Sequence, residues 1–192
     1  LRGDLVMDDG LITAITGLLQ VRIGGVGPGS MKINGGRANF GNVTVGQLVG
    51  GNGTLTINGG ILSNANFFTT GNTAGSRGTV WVTGGQIINL NNFFYIGDAA
   101  IGVMTISNGT VTCRNVELGH GLNAAGTLTI AGGTMAMSQG LLLGNSTAAN
   151  ATCTGIVSVT GGQLLSAALP IVIGAGDVGQ LTVSGTGFVK AF

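Results

Sequence analysis

The residues GTLTINGG at positions 53–60 recur along the chain with few changes. Related stretches are SMKINGG at 30–36, GTVWVTGG at 78–85, GTLTIAGG at 126–133 and GIVSVTGG at 155–162. The glycines that open the copies are Gly3, Gly29, Gly53, Gly78, Gly102, Gly126, Gly155 and Gly179, at intervals of 26, 24, 25, 24, 24, 29 and 24 residues. A fixed period of this length indicates a repeat architecture.

The residues two and four places after each opening glycine are all apolar. The first set is Leu5, Met31, Leu55, Val80, Met104, Leu128, Val157 and Leu181, and the second is Met7, Ile33, Ile57, Val82, Ile106, Ile130, Val159 and Val183. The residues between them are mixed, as Lys32, Thr56 and Trp81 illustrate. This period of two predicts a β-strand with one buried face.

Two more short strands follow in each copy. After a corner that is usually Gly-Gly, we expect an apolar residue of a second strand to face inward: Ile12, Leu62, Ile87, Val111, Met135 and Leu164. A third strand ends in glycine, as in VRIG at 21–24, VTVG at 43–46, FYIG at 94–97, VELG at 116–119, LLLG at 141–144 and IVIG at 171–174. The sequence therefore predicts one all-β domain over 1–192, a right-handed parallel β-helix of about eight coils with three short strands per coil.

Composition limits the possible partners. Of the 192 residues 39 are glycine, only 7% are charged, and the net charge is +1, which gives no electrostatic basis for binding nucleic acid or an anionic membrane. The most apolar stretch, Leu164 to Ala175, is too short for a membrane span and contains Pro170.

The pattern G-T-L-T-I-x-G-G followed by V-x-I-G resembles the glycine- and threonine-rich repeats of bacterial autotransporter passenger regions and related exported surface proteins. The resemblance covers nearly the whole chain. It implies a right-handed β-helix, export to the outside or surface of a bacterium, and a role as stalk, adhesin or surface layer. The matching motif is architectural, so it carries over no catalytic residue.

The ionisable residues predict no catalytic, cofactor-binding or metal site. Asp98 and Asp177 both follow the second glycine of a coil, but three coils, or roughly 14 Å, separate them, which is too far for a glycosidase pair. Glu117 and His120, three residues apart, are weak evidence for a metal site. His120 is better interpreted as a solvated histidine in a loop. A carbohydrate-binding or carbohydrate-cleaving β-helix stays an alternative hypothesis.

Several short motifs have ordinary explanations. Arg2-Gly3-Asp4 spells an adhesion tripeptide, but its glycine belongs to the repeat. Asn-x-Ser/Thr triplets begin at Asn42, Asn52, Asn108, Asn145 and Asn150, as expected by chance in a chain rich in Asn and Thr. Outward Thr-x-Thr pairs are interrupted, so a flat ice-binding array is not expected, and Trp81 alone is weak support for sugar stacking.

Aligned residues in successive coils predict side-chain stacks. We expect Phe68 and Phe94 to stack in the core, with Phe67 and Phe93 covering a corner.

Asn64 and Asn89 also align, which predicts an amide ladder, and Cys113 occupies the next equivalent place. Cys113 and Cys153 are compatible either with a disulfide or with two buried thiols. The longest loop, Asn145 to Thr154, is the best local candidate for a lateral contact.

The chain shows no polar or helical cap at either end, and its strands carry little charge. We therefore expect either a fragment of a longer array or end-to-end stacking of copies. The leading hypothesis is a non-enzymatic extracellular structural protein that stacks head-to-tail into a filament or surface fibre. A stalk segment of a surface adhesin is the alternative within the same class.

Overall fold

The structure is a computed structural model that describes residues 1–13, 20–146 and 152–192. These residues form 21 β-strands and no helix, so no helix among them is long and apolar enough to cross a membrane. The strand pairs are parallel throughout. The protein is an all-β solenoid of parallel strands, as the sequence predicts.

The first sheet consists of the strands that follow the opening glycines. Its strands are β1 (Gly3–Met7), β4 (Pro28–Ile33), β7 (Asn52–Ile57), β10 (Arg77–Val82), β12 (Ile101–Ile106), β14 (Ala125–Ile130), β17 (Thr154–Val159) and β20 (Val178–Val183). Leu55 is paired with Met31 on one side and with Val80 on the other, and Val80 is paired with Met104. Residues one repeat apart therefore stack directly over one another.

The second and third strands of the coils form the other two faces. The second face comprises β2 (Leu11–Thr13), β5 (Arg37–Phe40), β8 (Ile61–Asn64), β15 (Thr134–Met137), β18 (Gln163–Ser166) and β21 (Phe188–Lys190). The third face comprises β3 (Gln20–Ile23), β6 (Asn42–Val45), β9 (Phe68–Thr70), β16 (Leu141–Leu143) and β19 (Ile171–Ile173). In the fourth and fifth coils, residues 94–96 and 116–118 continue this face. We refer to the whole third face as the third sheet, although hydrogen bonds join it to the second face.

In the fourth and fifth coils the second and third strands form one continuous strand. The sequence predicted two separate strands there. β11 (Gln86–Ile96) and β13 (Thr110–Leu118) run through both faces and join them into one 13-stranded sheet. No glycine occurs between the second and third strands of these coils, whereas Gly41 and Gly140 interrupt the second and sixth coils. The pairing of β11 with β13 shifts register between Asn89 and Phe93, which produces the bend between the faces.

The core consists of the inward columns of the three faces. Leu55, Val80 and Met104 are fully buried, as are five of the six inward residues predicted for the second strands: Leu62, Ile87, Val111, Met135 and Leu164. The sixth, Ile12, is partly buried in the end coil. Phe68 and Phe94 stack in the core as predicted, with ring centroids 4.2 Å apart and planes 9° from parallel.

The Gly-Gly corners hold the coils close together. At Gly60 the backbone has φ of +68°, and an added Cβ would lie 2.6 Å from the carbonyl carbon of Gly35 in the preceding coil. A side chain there is disfavoured both by the left-handed conformation and by this contact. The repeat therefore needs glycine at this corner.

The prediction that the side-chain amides of Asn64 and Asn89 hydrogen-bond to each other in a ladder is wrong. The two residues align, but each side-chain amide donates to the backbone carbonyl of Asn66, at 3.0 Å from Asn64 and 2.5 Å from Asn89. The corner carbonyl lies within reach of both amides, so it takes the place of a side-chain partner. Cys113 follows Asn89 in register, as predicted.

Both cysteines are buried free thiols in this structure, which corresponds to the second of the two alternatives left open by the sequence. Burial raises the pKa of the Cys113 thiol well above its ordinary value, so it packs as a small neutral side chain. The predicted contact loop, Asn145 to Thr154, includes residues 147–151, which lie outside the described residues.

The end coils expose surfaces that the inner coils bury. Within the described part of the chain, β1 and β20 each have one neighbour in the first sheet. Val183 and Ile173 continue inward columns that are buried in the preceding coils, yet they are 48% and 51% exposed. Core-type side chains therefore face solvent in the last coils, whereas the inward residue Met7 of β1 is buried.

Candidate functional site on the third sheet

The outward residues of the third sheet change character along the axis. The middle residues of successive third strands are Arg22, Thr44, Thr69, Tyr95, Glu117, Leu142 and Val172, all aligned in register. Coils lie about 4.8 Å apart, so side chains that are neighbours in this column are close enough to contact each other. Polar residues occupy one end, an aromatic and an acidic residue the middle, and aliphatic residues the other end.

Three aromatic rings stand side by side on the middle coils. The ring centroid of Tyr95 lies 6.0 Å from that of Phe67 and 5.6 Å from that of Phe93, with planes within 15° of parallel. Phe67 is 41% exposed, whereas its chain neighbour Phe68 is fully buried. The prediction that Phe68 and Phe94 stack in the core is confirmed, and Phe67 lies at the corner before β9 as predicted.

A tight turn after each third strand places a second set of polar residues beside the rings. Gly97 has φ of +74°, and a Cβ there would lie 2.4 Å from the carbonyl oxygen of Ala125. The backbone N–H of His120 donates to the Gly97 carbonyl at 3.0 Å, so His120 stacks one coil beyond Asp98. The glycine turns therefore bring an acid and the chain's single histidine together.

His120 forms two acidic contacts. Its Nδ1 lies 2.8 Å from Asp98 Oδ1, and its Nε2 lies 3.6 Å from Glu117 Oε2. The hydrogen bond with Asp98 raises the pKa of His120, opposed by burial and aided by the charges of Glu117 and Asp98. His120 lies in a loop with its side chain 38% exposed, as predicted, and the stacked coil adds Asp98 as a partner that was not predicted.

Glu117 and Tyr95 complete the cluster. The Glu117 side chain is only 6% exposed and accepts a hydrogen bond from Asn145 Nδ2 at 2.8 Å. Burial, together with the charges of Glu117 and Asp98, raises the pKa of Tyr95 to about 12. As for an ordinary tyrosine, the Tyr95 hydroxyl is protonated at neutral pH and can donate a hydrogen bond.

A cleft of about 410 Å³ opens beside this cluster. Its walls are Phe67, Tyr95, Asp98 and His120, and its remaining lining is Gln20, Asn42, Thr44, Thr69 and Asn72. We refer to this space as the third-sheet cleft. A smaller cavity of about 260 Å³ lies on the other side of Phe93 and is lined mainly by aliphatic residues, including Leu142, Leu169 and Val172.

The arrangement does not resemble a metal centre. Within residues 1–13, 20–146 and 152–192, no group of three His, Cys, Asp or Glu side chains is placed to hold a metal ion. Asp177 accepts a hydrogen bond from the backbone N–H of Cys153 at 2.6 Å, whereas Asp98 contacts His120. The two aspartates thus have separate partners in different coils, as their spacing predicts.

Other sequence motifs lie elsewhere on the solenoid. Gly3 of the Arg-Gly-Asp triplet is paired with Gly29 in the first sheet, and Asp4 accepts a hydrogen bond from Ser30. Trp81 is 42% exposed and lies between Thr56 and Thr105 in register, so it interrupts the threonine column as predicted.

The Asn-x-Ser/Thr sites differ in their surroundings. Asn42 accepts a hydrogen bond from the Phe67 backbone, and Asn145 donates one to Glu117, so both side chains serve the third sheet. Asn150 lies outside the described residues.

No residue of the third-sheet cleft was predicted as a site residue from the sequence, although the repeat contains a signal that points to it. Asp98 and His120 each follow a glycine that ends a third strand, so the repeat alignment already places them in adjacent coils. Asp98 is three coils from Asp177 but only one coil from His120, so its partner is the histidine and not a second carboxylate.

No protein-family model, curated protein or solved structure matches the chain. The β-solenoid architecture that the repeat predicts is present in the structure.

Proposed function

We propose that the protein is a non-enzymatic structural β-solenoid whose end coils stack head-to-tail, building a filament or surface fibre. One observation carries this proposal: the strands at both ends of the first sheet, β1 and β20, have a free edge, and in the last coil the core-type side chain of Val183 is 48% exposed. Exposed edges of this kind pair readily with further strands.

The register of the repeat supports stacking between copies. If another coil continued the pattern, Leu181 would lie over Leu5 and Val183 over Met7 of the next copy, the same type of contact that Leu55 makes with Val80. On the second face, Val189 would meet Ile12. The third sheet ends one strand earlier, at β19, so the proposed contact uses the first two faces.

Charge on the end strands is too sparse to prevent this pairing. β1 carries Asp4, β21 carries Lys190, and β2 and β20 carry no ionisable side chain. Charged side chains are a common protection against edge pairing, and here the few that occur have opposite signs at opposite ends.

The glycine- and threonine-rich repeat supports a location outside or on the surface of a bacterium, as in the exported proteins it resembles. In the alternative, a stalk segment of a surface adhesin, the stacking coils come from the same polypeptide. Both functions use the solenoid as a rigid spacer, and they differ in what covers the end coils.

Electron microscopy and analytical ultracentrifugation of the purified chain test the proposal. We expect concentration-dependent fibres that Val183→Lys abolishes, because the substitution places a charge in the stacking interface. Val49→Lys is the matched control, since Val49 is 67% exposed on the lateral surface. Monomeric rods at high concentration would overturn the filament and favour the stalk segment.

A further inference from the structure

We propose that the third-sheet cleft binds a neutral sugar segment of a polysaccharide. This inference goes beyond the proposed structural function and does not depend on end-to-end stacking. It rests on the combination of an aromatic wall, a lining of hydroxyl and amide groups, and the absence of Lys and Arg among the described residues that line the cleft.

The aromatic wall provides an apolar surface of the right kind. A pyranose ring has an apolar C–H face and a rim of hydroxyl groups, so it packs its face against an aromatic ring and turns its rim toward polar groups. Phe67 and Tyr95 both line the cleft, and Phe67 is 41% exposed. Tyr95 is held by stacking against Phe93, so little side-chain entropy is lost when a ligand packs there.

The polar lining matches the hydroxyl rim of a sugar. Asn42 keeps its Nδ2 donors, because only its Oδ1 is used, as acceptor from the Phe67 N–H. Asn72 donates to Thr73 Oγ1 at 3.3 Å and keeps its carbonyl as acceptor, and the Thr69 hydroxyl can do both, so the lining supplies the donors and acceptors that vicinal hydroxyl groups require. Thr44 is already fixed by Gln20, whose Nε2 donates to its Oγ1 at 2.8 Å. A volume of about 410 Å³ lies within the usual range of small-molecule sites.

Charge selects a neutral ligand over an acidic one. Asp98 is the only carboxylate of the lining, it is paired with His120 at 2.8 Å, and no Lys or Arg belongs to the lining described by the structure. The nearest guanidinium, that of Arg22, donates through Nε to Gln20 Oε1 at 2.8 Å. Uronates, sulfated sugars and nucleic acid phosphates would therefore meet the Asp98 carboxylate, while the only basic side chain of the described lining, His120, is already paired with that carboxylate.

The length of the cleft favours a chain over a single sugar. Its lining residues come from five successive coils, from Gln20 to His120, which corresponds to roughly 19 Å along the axis at about 4.8 Å per coil. Trp81, which is 42% exposed, lies on the first sheet and does not line the third-sheet cleft. Trp81 therefore provides a matched control with an exposed aromatic ring outside the cleft.

Isothermal titration calorimetry with defined oligosaccharides tests the inference. The neutral probes are hexasaccharides of β-1,4-glucose, β-1,3-glucose, β-1,4-mannose and N-acetylglucosamine, and the acidic probe is hexagalacturonate. We expect at least one neutral probe to bind with a Kd below about 1 mM, and hexagalacturonate to bind more weakly than that probe.

Three variants locate the binding. Tyr95→Ala should weaken it at least about tenfold, and Thr69→Val, which keeps the side-chain shape but removes the hydroxyl, should weaken it about threefold, while Trp81→Ala should leave it within about twofold. Circular dichroism of Thr69→Val checks that the fold is retained.

Three results would overturn the inference: no binding of any neutral probe, unchanged binding in both cleft variants, or tighter binding of hexagalacturonate. None of these results bears on fibre formation, so the failure of this proposal is distinguishable from the failure of the structural one.

Discussion

The first and third sheets rest on the same repeated core, yet their outer faces differ in chemistry. On the first sheet one outward column reads Lys32, Thr56, Trp81, Thr105, Thr129 and Ser158, mostly small hydroxyl residues that suit a strand. On the third sheet the aligned column passes from Thr69 through Tyr95 and Glu117 to Leu142. Inward residues specify the coil, and outward residues are free to carry function.

The largest effect should come from the third-sheet core. Phe68→Ala removes a fully buried ring that stacks on Phe94 and should lower the free energy of unfolding by about 3–5 kcal/mol, measured by chemical denaturation. Phe67→Ala, one residue away and 41% exposed, is the control and should cost much less. Equal losses in the two variants would show that the ring assigned to the core does not lie there.

The first-sheet core should respond similarly. Leu55→Ala should cost about 2–5 kcal/mol, because Leu55 is fully buried between Met31 and Val80, while outward Thr56→Ala should cost about 1 kcal/mol or less. The same denaturation experiment measures both. A loss at Thr56 as large as that at Leu55 would contradict the division into inward and outward columns.

The glycine turn that positions the third-sheet cluster should be the next most sensitive. Gly97→Ala should destabilise by about 1–3 kcal/mol, since φ is +74° and the new Cβ would lie 2.4 Å from the Ala125 carbonyl oxygen. Gly50→Ala is the control, because φ there is +75° but no atom lies within 4 Å of the added Cβ. If the two variants were equally stable, coil contact would play no part at Gly97.

The smallest expected change is in the pKa of His120 on the third sheet. The pKa of His120 should lie above 6.5, and Asp98→Asn should lower it, because the hydrogen bond to Asp98 is the main cause of the shift. A raised pKa means that this contribution to stability is fully present below about pH 6.5 and is lost as the pH rises through the pKa of folded His120. NMR titration of the single histidine measures the shift, and a pKa at or below 6.5 in the unmutated protein would contradict the pairing.

The fold could be predicted from the sequence because its signals repeat. Leu5, Leu55 and Leu128 occupy the same place in their copies, so one strand interpretation is tested several times along the chain. The repeat also predicted the Phe68–Phe94 stack, since both residues precede the end of a third strand by the same distance.

The remaining features depend on places where the repeat is irregular. The carbonyl of Asn66 receives both Asn64 and Asn89 because of the particular corner conformation between β8 and β9, which has no periodic signal. The continuity of β11 depends on a register shift near Asn89 that the spacing of apolar residues does not show. The third-sheet cleft needs five coils at once, and each contributes side chains that are unremarkable alone.

One NMR measurement tests the in-register stacking of coils most directly. Trp81 is the only tryptophan, and it is paired with Thr56 on one side and Thr105 on the other, 25 and 24 residues away in the chain. We predict nuclear Overhauser contacts from the Trp81 indole protons to the methyl groups of both threonines. Contacts to only one of them, or to residues of an antiparallel hairpin in their place, would contradict the parallel solenoid and the surfaces derived from it.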